Sequence, residues 1–514
     1  MISPLRLEQD GHWRSAGLAI CFLPVFAVVT MLLGRALLSA SGAWPDASFV
    51  SALGGSLRMA LAVGAIALGL GLPTGVMAAL YRFPGRTWLL TLVMLPILAP
   101  SFLWAIGWSA LASRWSTATG LLEGIPGLVL AHAGVATPIV ALTTFAAAGS
   151  LTASQVDAVR VSNGETAVVW HAARHVAPPA ALATVLVAVL MLSDPGPGMI
   201  FGVRTVAGDL LTSFSSQYDF LLAARQSLGL AAVVVVLTVP ILAVATPRLA
   251  DAILARQLRP LQPVPRRLPG SIAAAMLALV IVGGLLAPLT GLLLPLRPGA
   301  SLQLATETLA RTGMDTLLYA FGAGVLATAL GFAVALCAGR TPRLRIVTLV
   351  LALVVLVQPP ALLALGVVEL AASAPASADP VLRGPLVVCV TLALRLFPLA
   401  VLLGLRAWGG LAPSWAQAAA VHGVPLSRYL GRVAAPLLAP SALASVLLVA
   451  LLASADVSTV LLLHPPGHPS LPLTIFTVMA NAPEAWTAAL CLIYVLAVMA
   501  VLGMVRFGLG RWSR

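Results

Sequence analysis

Lysine is missing from this sequence: all 29 basic residues among its 514 are arginine. That excludes a Schiff-base lysine, and it excludes a nucleotide loop of the Walker type, whose lysine must reach the phosphates. Charge of either sign is scarce, at 9% of residues with 60% apolar, whereas a soluble domain carries about a quarter charged. Lipid is therefore the expected solvent for most of the chain. The formal charge of +13 suggests nucleic acid only if the arginines share a face. They fall between long apolar runs instead, which is a topology signal, and no nucleic-acid partner is expected. Cysteine is also sparse. Cys21, Cys337, Cys389 and Cys491 each sit alone in an apolar stretch, so they make no metal or redox motif and read as small core residues.

What the sequence does have is long apolar runs. A helix needs about 20 mostly apolar residues to cross a bilayer. That rule places spans near 17–38, 53–80, 87–110, 126–148, 179–196, 227–247, 271–295, 316–338, 346–371, 384–405, 437–455 and 486–506. The first run has no small-residue cleavage site after it and reads as a retained span. The expected fold is an all-α integral membrane protein of about twelve transmembrane helices in two tandem six-helix halves, with both termini on one side. Of the 29 arginines, 20 fall on that side and 9 on the other. The Arg excess in short loops makes the terminus side cytoplasmic. The loop from Asp456 to Glu484 on the opposite side has no arginine.

Features recur at an offset of 260 residues: Gly64 and Gly324, Gly71 and Gly331, Pro138 and Pro398, Leu151 and Leu411, Ser154 and Ser414. Both copies keep one orientation, so the repeat is parallel. The reading divides the chain into a leading helix and outer loop (1–50), a first transmembrane domain (51–247), an Arg- and Pro-rich linker (248–270), a second leading helix (271–313) and a second transmembrane domain (314–514).

Each repeat carries one loop of about 30 residues on the terminus side, long enough to be functional. In the second, Gln417-Ala418-Ala419-Ala420 favours helix, Gly423 permits a turn, and a second short helix is expected to end at Ala435-Pro436. This stretch resembles the cytoplasmic signature of binding-protein-dependent ABC importer permeases: Glu-Ala-Ala, three residues, Gly, nine residues, Ile-x-Leu-Pro. Gln417, Ala418, Ala419, Gly423, Val433 and Pro436 fall at the family's spacing. In the first repeat Asp157-Ala158-Val159 takes the Glu-Ala-Ala place, Asn163 occupies the Gly position, Gly164 comes one residue late, and Pro178 or Pro179 closes a degenerate copy.

The resemblance implies a fused double permease of an ABC importer in a bacterial inner membrane. Its two loops would form coupling helices seated in two separate ATPase subunits, which bind the ATP, so the chain itself holds no cofactor and no catalytic residue. It also implies a periplasmic or lipid-anchored solute-binding protein as partner, besides membrane lipid. The fused arrangement and the outer Pro-Pro-Gly…Leu-Pro segment are most similar to iron(III) importers, with thiamine, phosphonate and polyamine importers alongside. The competing class is a twelve-helix secondary transporter driven by an ion gradient. It would carry a Gly-x-x-x-Asp-Arg loop where this chain has Tyr81-Arg82-Phe83-Pro84-Gly85-Arg86.

Asp194 and Asp456 occupy equivalent places beyond the two signature loops, as helix caps or as a pair at the outer mouth of a pore. His464-Pro465-Pro466-Gly467-His468 reads as a docking surface for the binding protein, or as a rigid loop. His171 and His175 have i, i+4 spacing without a clustered carboxylate, so no metal site is expected. Arg395 lies within a span at an insertion cost of about 2.5–3.5 kcal/mol, and Glu369 or Asp379 is the expected partner.

Overall fold

The computed structural model describes residues 11–114, 122–254, 261–296 and 299–512. Among the described residues the fold is almost wholly helical, and ten helices are each long and apolar enough to cross a bilayer. These are α1 (Gly11–Leu38), α2 (Ala47–Leu80), α5 (Gly124–Ala148), α6 (Ala153–Leu192), α9 (Phe220–Leu254), α10 (Arg267–Leu293), α11 (Ala300–Ala338), α14 (Pro385–Gly410), α16 (Leu426–Ser454) and α19 (Glu484–Trp512). The protein is a multi-pass membrane protein.

Two expected spans are broken. The one near 87–110 is a pair, α3 (Arg86–Leu98) and α4 (Ser101–Ala112), bent by 99°, and the one near 346–371 is α12 (Pro342–Val357) and α13 (Pro360–Ser373), bent by 86°. Proline causes both breaks. Pro100 and Pro359 sit in extended backbone (ψ 138° and 135°) and force extension on Ala99 and Gln358 before them. Irregular backbone survives at membrane depth only when shielded by protein or lining a polar cavity. Ala99, Pro100, Pro359 and Pro360 are all buried.

The repeat is visible in the packing. A methyl group placed on Gly71 of α2 would lie 2.9 Å from Val140 Cβ of α5, and one on Gly331 of α11 would lie 2.5 Å from Ala400 Cβ of α14. Both contacts keep the 260-residue offset. Gly64 meets Thr184 and Ala188 of α6, and Gly324 meets Val446 and Ala450 of α16. Glycine here lets helix backbones approach where lipid provides no hydrophobic drive to associate.

The helices form two compact units, each assembled from separated stretches. One comprises Met1–Ala40, Ala231–Arg256 and Met314–Pro469; the other comprises Ser41–Leu230, Gln257–Gly313 and Ser470–Arg514. In the first, α1 lies along the second repeat: Phe22 packs edge-on against Phe397 of α14 with ring centroids 5.2 Å apart. The buried Arg14 of α1 donates to the backbone oxygens of Cys337 and Ala338 and to Thr341 Oγ1. In the second unit α10, the leading helix of the second half, lies along the first repeat. Gly107 of α4 meets Pro288 and Gly291 of α10 at backbone distance. A two-residue parallel pair, β1 (Tyr81–Arg82) with β2 (Val264–Pro265), ties the linker to the α2–α3 loop. Helix α9 runs through Pro240 and Pro247 to Leu254, so the described linker is shorter than expected.

Cys337, Cys389 and Cys491 are buried and Cys21 is half-buried, all four as free thiols.

Candidate functional site

The first signature loop begins after α5. Thr152 caps α6 through a reciprocal box, with Gln155 N–H donating to Thr152 Oγ1 at 3.3 Å and Thr152 N–H to Gln155 Oε1 at 3.1 Å. The helix holds Asp157, Ala158 and Asn163 on its exposed side. It breaks at Gly164 (φ 79°, ψ −176°) and resumes at Glu165. Gly164, not Asn163, therefore makes the turn, because that region of backbone space is open essentially to glycine alone. Beyond it the helix continues unbroken through Pro178 and Pro179 to Leu192, so these prolines do not close a separate short helix. Arg160 bridges Asp157 (2.8 Å) and Glu165 (3.1 Å). Glu165 also accepts from Tyr81 Oη at 2.7 Å and faces Arg266 of the linker at 3.9 Å. Burial first, and the Glu165 carboxylate second, push the Tyr81 phenol above its ordinary range and keep it a donor.

The second loop is more regular. α15 (Pro413–Val421) exposes Gln417 and Ala418 and ends in a Schellman turn. Val424 N–H reaches Ala419 O at 2.9 Å, and Gly423 N–H reaches Ala420 O at 3.1 Å, with Gly423 at φ +63°. Leu411, Ala416, Tyr429 and Ala434 bury together beneath α15, and Val433 packs against them half-buried. The expected stop at Ala435-Pro436 does not occur. A π turn at Leu430–Ala434, closed by Ala435 N–H to Leu430 O, absorbs the change in register, and α16 continues past the exposed Pro436.

One feature of these loops escaped the sequence reading. Val161 is 89% exposed and Val421 82%, and they stand 260 residues apart. Each is the apolar tip of its short helix, three or two residues before the turning glycine. The signal was available as an apolar residue on a face otherwise set by polar and small residues.

On the far side of the spans each repeat sets one carboxylate beside one base, Asp456 buried and Asp194 half-buried. Asp456 is 8% exposed, caps α17 (Val457–Leu463) through Thr459 N–H at 3.0 Å, and is ion-paired with Arg395. The expected partners of Arg395 are engaged elsewhere, Glu369 with Arg35 at 3.7 Å and Asp379 with Arg383 at 3.1 Å. Asp194 opens α7 (Gly196–Ile200), accepts from Ser101 Oγ and from Gly196 N–H at 3.0 Å, and lies 3.5 Å from His132 Nε2 of α5. Neither aspartate is presented as a bare charge.

In the Pro-Pro-Gly loop, His464 ends α17 and Pro465 is buried. Pro466, Gly467 and His468 form the exposed tip, with Gly467 at φ +84°. His468 Nδ1 lies 3.1 Å from Asp315 Oδ1, and its carbonyl accepts from Tyr319 Oη at 2.9 Å, so α11 fixes the tip. His175 Nε2 is 2.7 Å from Ser150 Oγ. Among the described residues no three His, Cys, Asp or Glu side chains gather at metal-binding distance. No family model and no curated protein matches the chain.

Proposed function

We propose that the chain is the membrane-spanning permease of an ATP-driven importer, with the pathway in this chain and the ATPase in separate partner subunits. The observation that carries this is the pair of loop helices. Both repeats present, on the arginine-rich side, a short helix stopped by a positive-φ glycine and tipped with one exposed valine. Exposed apolar residues at corresponding positions of a duplicated structure suit two equivalent docking sites. The arginine bias supports reading that side as cytoplasmic, and an even number of spans would put both termini on it.

The two Pro-broken spans support a transport pathway. Interrupted apolar segments at corresponding positions of two repeats are the usual place where a transporter handles its cargo near the bilayer midplane. ATP-driven approach of the two partners would move the coupling helices, and rocking of the repeats would give alternating access. Iron(III) or a related small solute delivered to the Pro466–His468 tip is the substrate class we favour.

The test is reconstitution. Purified chain in liposomes with its ATPase and solute-binding partners should take up solute only with ATP. Val161→Glu and Val421→Glu should each weaken ATPase binding tenfold or more, about the cost of an interface hot spot. Solute accumulation by the chain alone on an ion gradient would instead make it a secondary transporter.

A further inference from the structure

The loop that joins α2 to α3 and the linker strand β2 enclose a cleft of 870 Å³, lined among others by Arg82, Arg86, Thr87, Trp88 and Gln262. That volume is within the range of about 300–1,000 Å³ of small-ligand sites. Its lining contains two arginines and neither aspartate nor glutamate. Among the described residues neither arginine meets a carboxylate. Their neighbours differ: Arg160 and Arg266 both face Glu165.

The two guanidinium groups are differently held. Arg86 is anchored, its Nε donating to Ala78 O at 2.8 Å and its plane 5.2 Å from the centre of the Phe145 ring. Arg82 is exposed, while its backbone is fixed by pairing with Pro265. One fixed and one adaptable arginine on a wall stiffened by Pro263 and Pro265 suit a phosphate, which accepts from guanidinium in a planar, two-pronged geometry. The mouth of the cleft decides what carries the phosphate. Trp88, itself part of the lining, is 65% exposed, and Leu268 just beyond β2 is 72% exposed. Tryptophan on a membrane protein's surface beside a span belongs at the headgroup level, with its ring against acyl chains.

We propose that this cleft binds the phosphate of an anionic phospholipid headgroup, with Arg82 and Arg86 on the phosphate and Trp88 against the proximal acyl chain. The anionic leaflet is the cytoplasmic one, so the proposal shares with the transport reading only the side on which the arginine-rich loops lie. A bound headgroup would bridge the first repeat and the linker that leads to the second.

The experiment uses the full chain in phosphatidylcholine nanodiscs, with phosphatidylglycerol as probe and native mass spectrometry counting the lipid retained. The wild-type chain should retain phosphatidylglycerol selectively. Arg82→Gln should bind it about fivefold more weakly, the effect of about one surface charge next to an anionic membrane, and Arg82→Lys should fall between the two, because it keeps the charge and loses the two-pronged contact. Trp88→Ala should weaken lipid binding as well. Because Arg86 also holds the α2 terminus, the decisive variants are those at Arg82, with an unchanged melting temperature in phosphatidylcholine alone as the folding control. Equal retention by Arg82→Gln and wild type would overturn the site. Inorganic phosphate competing with the lipid at equal concentration would overturn the lipid assignment in favour of a soluble anion. No ATPase is present, so the result is independent of whether the chain is an importer.

Discussion

Gly164 and Gly423 turn the chain at the same point of the two repeats, but in different backbone conformations. At Gly423 the conformation is left-handed helical (φ +63°), closed by the Schellman hydrogen bonds; a side chain there costs about 1–2 kcal/mol, and asparagine less than most. At Gly164 the conformation (φ 79°, ψ −176°) lies where glycine is nearly alone. A Cβ on either would meet no atom within 4 Å, so crowding plays no part. Gly423→Asn should therefore lower the melting temperature of the detergent-solubilised chain only slightly, and Gly164→Asn should lower it clearly more. Asn163→Gly should restore nothing, since Asn163 already lies in helix. Equal melting points for the two asparagine variants would show that the loops tolerate either turn. In the sequence the first copy looked degenerate because its glycine came one residue late. The backbone shows why spacing misled: the helix before Gly164 simply runs one residue longer.

Between elements, each repeat sets one aspartate, Asp194 or Asp456, at the start of a short helix and faces it with a base from a proline-bearing span. Arg395 and Asp456 are the stronger case, since they form a direct ion pair in which Asp456 is also held by the Thr459 N–H. Removing one member of a buried pair leaves an uncompensated charge at a cost of about 3–5 kcal/mol, whereas removing both can be nearly neutral. Arg395→Met and Asp456→Asn should each lower stability and expression strongly, and the double variant should recover much of the loss. A double-mutant cycle on thermal unfolding reads the coupling; additive losses would mean that the charges act separately. Here the sequence was only partly legible. The cost of Arg395 within a span was evident, but its partner lies 61 positions away on another helix, and nothing local distinguishes Asp456 from Glu369 or Asp379. The spans themselves were legible because hydropathy over about 20 residues is a local quantity. Their breaks at Pro100 and Pro359 were not, because a proline in a span can kink a helix or end it according to what its neighbours satisfy. The 86° and 99° bends are settled by burial of those prolines against other helices.

At the scale of the whole chain, sequence order and compact packing diverge. The 260-residue period was readable because the crossing glycines are fixed in place, but a period says nothing of where a leading helix packs. Residues 1–40 belong to one compact unit with residues 314–469, and α10 belongs to the other with residues 41–230. Arg14 carries the first of these associations. The residue is 2% exposed, and its guanidinium satisfies the carbonyls at the end of α11, which no continuing helix bonds. Arg14→Leu would leave the Cys337 and Ala338 carbonyls unpaired in a buried setting, a loss of about 1–3 kcal/mol for each group. The consequence should appear far from the substitution in sequence. Hydrogen exchange should accelerate around 337–345 and along α13, where Val28 of α1 meets Gly366, while the segment 47–80 that directly follows α1 keeps its protection. Gly17 offers a second probe of the same contact: a methyl placed there would lie 2.7 Å from Cys337 Sγ, so Gly17→Val should reproduce the exchange pattern without touching a charge. Loss of protection confined to residues 41–80 in either variant would mean that α1 is stabilised by its sequence neighbours and not by the second repeat.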